Sequence, residues 1–243
     1  MSSLLWTLPL LAGAAAWGQP TPAPEQVRST GLRCVQVAQT IQAIEAAKAP
    51  VPADLQTARQ ACDQAQRKQA DAGATLDRLG LTSLELFTRM DQAASHLAGQ
   101  PRFYVLAALA KYAFDLGKPD KARQYARELL QMASQYPDDW NYGNASYYGY
   151  FVVGRLALDE GNLALAGQYL MNAASTPGSP QLNSFGPNMT LAKELLEKGQ
   201  FAVVGQFLTQ CKTFWKMDHG NLDAWIGQVQ HGGVPAFGAN LNY

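Results

Sequence analysis

Three histidines (His96, His219, His231) and three cysteines (Cys34, Cys62, Cys211) are the side chains best suited to metal or nucleophilic chemistry. No histidine lies in an H-E-x-x-H segment or four residues from a second imidazole ligand. The cysteine spacing suits neither zinc nor a C-x-x-C redox pair. Phosphate loops rich in glycine and the G-x-S-x-G elbow are absent, so the sequence points to no metal, no cofactor and no catalytic residue. Asp218, His219 and Asp223 cluster at an expected helix start, with Asn221 or Asp223 as N-cap. Asp138-Asp139 and Asp159-Glu160 read as solvated groups, and Asn144 and Asn188 open N-x-S/T sequons. One charge pattern recurs: Lys111, Arg155 and Lys193 each stand four residues before an acid, at Asp115, Asp159 and Glu197. As ion pairs within a helix these run in the weaker, basic-then-acidic order, worth about 0.2–0.5 kcal/mol each at best.

The elements that must position these residues are helical. The chain has 243 residues, 47% of them hydrophobic and 16% charged, with a formal net charge of +0. That length buries a real core, and the charge balance gives no basic patch for nucleic acid. The N-terminus reads as a secretory signal over residues 1–18: a short apolar stretch from Leu4 to Trp17, then Ala16-Trp17-Gly18 as a cleavage site, although no Lys or Arg precedes it. A proline-rich spacer occupies 19–28. The expected product is exported, periplasmic or extracellular, with no integral membrane span once the signal is removed.

Residues 29–100 read as a helical hairpin and a connecting helix. Cys34 and Cys62 sit on the inward stripes of its two arms, about equally far from the turn "KAPVPA". They form either a disulfide, which an oxidising compartment favours, or two buried thiols, with Cys211 left unpaired. Thr82 and Glu85 mark a capping box, and Pro101 the start of a helix apolar nearly all round. No strand run appears.

From 101 to 218 the sequence repeats. "LGKPDKARQY", "EGNLALAGQY" and "KGQFAVVGQF" align without gaps, with glycine at 117, 161 and 199. Five residues on stands Ala122, Ala166 or Val204, and eight on Tyr125, Tyr169 or Phe207. Glycine ends one helix in a left-handed conformation, the small residue admits a close second helix, and the aromatic fills the gap to the next hairpin. The pattern resembles the tetratricopeptide repeat. Gly154, Gly161, Ala166, Tyr169 and Ala173 match its small, turn and aromatic positions best, and Pro177 stands near its closing proline. The spacings of 44 and 38 residues exceed that family's 34.

The resemblance implies an all-α fold: a right-handed superhelical array of antiparallel helix hairpins, an α-solenoid. A C-terminal helix and tail over 219–243 would close it, with Val234, Phe237 and Leu241 covering the open end. In such an array equivalent first-helix positions line a concave groove. Lys111, Arg155 and Lys193 would form a basic ladder there, flanked by Tyr104, Phe114, Tyr148, Phe151 and Met189. Tyr147 and Tyr150 would face the core. The implied function is a non-catalytic scaffold or adaptor holding a protein or peptide segment. One rival is a carbohydrate-binding or hydrolytic protein with a site in the inter-repeat loops and the C-terminal segment around His219. Another is an assembly element whose ends stack into homo-oligomers.

Overall fold

The computed structural model describes residues 48–67, 76 and 80–241, together with residues 34, 37, 38, 40–42, 44 and 45. The expected signal and spacer lie outside the described residues. Among those described the protein is all-helical, with no strand.

Ten α-helices lie wholly among the described residues: α1 (Ala53–Arg67), α2 (Ser83–Ser95), α3 (Gly99–Asp115), α4 (Pro119–Ala133), α5 (Tyr142–Asp159), α6 (Leu163–Ala174), α7 (Pro180–Phe185), α8 (Thr190–Glu197), α9 (Phe201–Cys211) and α10 (Asn221–Gln230). A short 3-10 turn spans Gly238–Leu241. Cys34 and Cys62 are joined by a disulfide, their Cα atoms 5.7 Å apart, while Cys211 is a buried free thiol.

Local chemistry sets the boundaries. Thr82 accepts the Glu85 amide at 3.2 Å and so caps α2. α3 begins at Gly99, two residues ahead of Pro101, because proline is tolerated throughout the first turn, where backbone N–H groups lack helical partners. Gly117, Gly161 and Gly199 have φ of 65°, 77° and 77°. Each lets the chain reverse between α3 and α4, α5 and α6, or α8 and α9. After each turn the expected small and aromatic residues pack inward. Ala122, Ala166, Val204, Tyr125 and Phe207 are buried, and Tyr169 is partly buried against Tyr150.

The hairpins α3–α4, α5–α6 and α8–α9 contact one another in sequence. α4 packs on α5 and α6 on α8, while the leading helices α3, α5 and α8 also touch directly. This placement between neighbours explains why α3 and α5 are apolar on almost every side. Gly154 is central to it: a Cβ there would lie 2.5 Å from Leu191 Cδ2 and 3.2 Å from Tyr169 Cβ. On the trailing side, Arg102 donates to both Glu128 oxygens at 2.8 Å and to the Ala94 carbonyl, tying α2, α3 and α4 together.

The segment between α6 and α8 folds over the start of α5. Its short helix α7 is capped by Ser179, whose hydroxyl also donates to Asn144. The C-terminal tail locks against it. Phe237 is buried on the Trp225 ring, while Val234, expected to be covered, is exposed because only the end of the tail reaches the core. Asn240 donates to the carbonyls of Phe185 and Pro187 and accepts the Met189 amide at 2.7 Å. Asn240→Ala should destabilise the protein by about 1–3 kcal/mol, since buried carbonyls lose their donors. A lowered urea midpoint with unchanged slope would show it.

Candidate functional site

The turn glycines place Lys111, Arg155 and Lys193 at equivalent points of α3, α5 and α8, and the contacts among these helices bring the first two together. The Lys111 ammonium lies 4.0 Å from the centroid of the Tyr148 ring on α5. The Arg155 guanidinium in turn lies 4.2 Å from the Phe114 ring on α3. Each helix thus offers an aromatic face to the other's cation, a contact worth about 0.5–2 kcal/mol depending on desolvation.

Beyond this crossing the cations part company. Arg155 donates to the two carboxylate oxygens of Glu194 on α8, at 2.7 and 3.1 Å, and to Asp115 on α3 at 3.3 Å. One side chain therefore spans three helices. Lys193 pairs with Glu197 at 2.5 Å, one turn away. Of the three basic-then-acidic pairs expected within helices, this is the one that forms as a contact ion pair. Arg155 turns instead to the neighbouring helices, whose carboxylates match its planar fork.

Lys111 is placed differently. It is partly buried, and among the described residues no carboxylate lies within 4.0 Å of its Nζ. Burial pushes its pKa down to about 8, against the opposing pull of Asp115. Burial also raises the Asp115 carboxyl, while Arg155 works to keep it ionised. The seam therefore holds one cation that is desolvated yet lacks a directly bonded counter-ion, an arrangement that favours an incoming anion.

Seven residues earlier on the same face of α3, or about 10 Å by helical rise, stands Tyr104. Its hydroxyl donates to Asp139 at 2.8 Å, and its ring packs on Trp140 with centroids 5.5 Å apart. Burial, then the hydrogen bond to Asp139, raise the Tyr104 pKa. Trp140 remains 49% exposed. Lys111, Tyr148, Tyr104 and Trp140 together make a cationic site beside an aromatic shelf.

Several expected positions are corrected. Phe151 and Met189 do not line an open face but are buried, at 3% and 0% exposure. They sit one turn before Arg155 and Lys193, where the leading helices press together. Phe151 packs on Tyr147 and Tyr148 there. Arg155 and Lys193 are not open ladder rungs, since carboxylates of the chain itself hold them. Tyr147 is core, its hydroxyl donating to the Asn188 carbonyl at 2.7 Å, whereas Tyr150 is only partly buried. Asp139 is not a free solvated acid but joins Gln100, Tyr104 and the Asn141 amide.

Around His219 the carboxylates are also occupied. Gly220, not Asn221 or Asp223, is the N-cap of α10. Asp218 accepts the Leu222 amide, and Asp223 pairs with Lys212. The described residues contain no group of three His, Cys, Asp or Glu side chains able to hold a metal ion, and no helix among them is long and apolar enough to cross a membrane. Both sequon asparagines are buried, with Asn144 hydrogen-bonded to Asn141, Gln181 and Ser179. A glycan at either position conflicts with the packed loop.

Glu194 is the participant that sequence reasoning missed. It follows Lys193 directly, and only knowledge of which helix faces Arg155 gives it a role. Comparison with known proteins adds no name to this site: no protein-family model, curated protein or solved structure matches the chain.

Proposed function

We propose that this chain is an exported, non-catalytic scaffold of the tetratricopeptide-like kind. Its hairpins wind as a right-handed superhelical array, and it binds an extended acidic segment of another protein across α3 and α5. The contacts of each hairpin with the next, and of leading helix with leading helix, support the array. The Cys34–Cys62 disulfide supports an oxidising compartment.

One observation carries the binding function: among the described residues Lys111 keeps a desolvated ammonium against Tyr148 without a bonded carboxylate, while Arg155 and Lys193 are neutralised internally. A partner carboxylate would complete the Lys111 site, and apolar side chains beside it would lie on Tyr104 and Trp140. Selection from a random peptide library at pH 7 tests this. Wild-type protein should enrich peptides bearing Asp, Glu or a free C-terminus. The Lys111→Met protein should lose that preference, and Lys193→Met should keep it. Peptides enriched without an acidic preference, or no enrichment at all, would overturn the proposal.

A second reading rests on the exposure of Trp140 and Phe185, at 49% and 64%, in the two long links between hairpins. Such rings suit sugar stacking. Soluble-glycan binding abolished by Trp140→Ala but indifferent to Lys111→Met would favour it.

A further inference from the structure

The leading helices α3, α5 and α8 each have a trailing helix packed on them: α4, α6 and α9. The helix α10 packs on α9 as the leading helix of a further hairpin would, but among the described residues no trailing helix follows it. The chain turns at Gly232 and runs to the Asn240 anchor beside Phe185 and Pro187. A groove of about 620 Å³ lies over α9 between the end of α6 and α10. Its apolar surface comes from Met171, Phe201, Ala202, Gly205, Ile226 and Val229, and the rest of the lining is three glutamines and a threonine.

Among the described residues no charged side chain lines this groove. The terminal unit of a helical array that simply ends in water needs a polar outer face. Here Met171, Phe201 and Ile226 are only partly covered, and Ala202 and Gly205 leave room for a close backbone. A helix laid along the groove would touch α9 and α10 just as α9 touches α6 and α8.

Resting on the repeat reading above, we infer that this groove receives an amphipathic helix from a partner protein, which completes the last hairpin in trans. The trailing helices describe its chemistry. α4 buries Ala122, Tyr125, Ala126 and Leu129, and α9 buries Val204, Phe207 and Leu208. The partner helix therefore carries a small residue, an aromatic three positions on and an aliphatic or small one next. Its docking face is uncharged, because an ion buried against this lining would meet no counter-charge.

The test uses the whole chain and a stapled helical peptide with the α9 sequence, serine replacing its cysteine. Stapling is needed because an isolated helix of this length is marginal in water. Saturable binding is expected below millimolar concentration, weakened at least tenfold by Ala202→Glu or Ile226→Glu and unchanged by Lys111→Met. Failure to saturate, or equal binding by Ala202→Glu, would overturn the proposal while leaving the Lys111 site untouched. If the chain alone shows a concentration-dependent mass that Ala202→Glu abolishes, the groove belongs to a second copy, and the partner helix is likewise overturned.

Discussion

An Arg155→Ala protein should unfold about 2–4 kcal/mol more easily than wild type. Truncation strands Glu194, a partly buried carboxylate, and Asp115, an exposed one, without their shared cation. Removing one member of a buried ion pair typically costs about 3–5 kcal/mol, and the partial exposure of both acids lowers that figure. It also strips the Phe114 ring of its guanidinium cover. Lysine is not an adequate substitute: a single ammonium cannot address Glu194 with two parallel bonds and Asp115 at the same time. Arg155→Lys should recover less than half of the loss. Urea unfolding of Arg155→Ala, Glu194→Gln and the double variant would measure this. The double variant should be far less destabilised than the sum of the two single losses, because the stranded carboxylate is gone.

Lys111→Met should act in the opposite direction on stability and, under the proposed function, abolish recognition of acidic peptides. The ordinary lysine pKa of 10.5 is lowered to about 8 by burial, so the folded state disfavours the charged form. Below pH 8 the ammonium is protonated whether the chain is folded or not, and its full desolvation penalty is present. Between pH 8 and 10.5 the unfolded chain binds more protons than the folded one, so wild-type stability from this group rises with pH. Methionine removes the penalty. The variant should be about 1–3 kcal/mol more stable at pH 7, the upper figure being the full displacement from 10.5 to about 8. Its advantage should shrink as pH climbs through that window. The charged group that acts on Lys111 is Asp115 on its own helix, which pulls the pKa upward against the burial. It does not pair directly with the ammonium, so the trend belongs to Lys111. A residue whose removal stabilises the fold but destroys binding marks a site where stability is sacrificed for function.

Much of the frame was legible in the sequence because it depends on local backbone requirements. Gly117, Gly161 and Gly199 terminate helices through a φ that other residues avoid, so their recurrence locates the hairpins. Ala122, Ala166 and Val204 are small because a second helix lies against them. Harder to read was which side of each leading helix would meet its neighbour. Phe151 and Arg155 are one turn apart on α5, yet the first is sealed in the seam and the second reaches across it. A rotation of less than one residue separates these outcomes, and one chain's periodicity does not resolve it. Glu194 and Asp139 take their roles from partners 39 and 35 residues away. Asn240 likewise serves carbonyls in a loop more than fifty residues earlier. Such pairings arise from tertiary register, not from local pattern.

The most direct measurement is an NMR titration of the Lys111 side chain, assigned by its loss in Lys111→Met, with and without a selected acidic peptide. The free protein should titrate near pH 8, and the peptide should shift the midpoint upward as its carboxylate holds the ammonium charged. A midpoint at the ordinary lysine value that the peptide leaves unmoved would contradict the account. Lys111 would then be a solvated charge, and the seam between α3 and α5 would serve the fold alone.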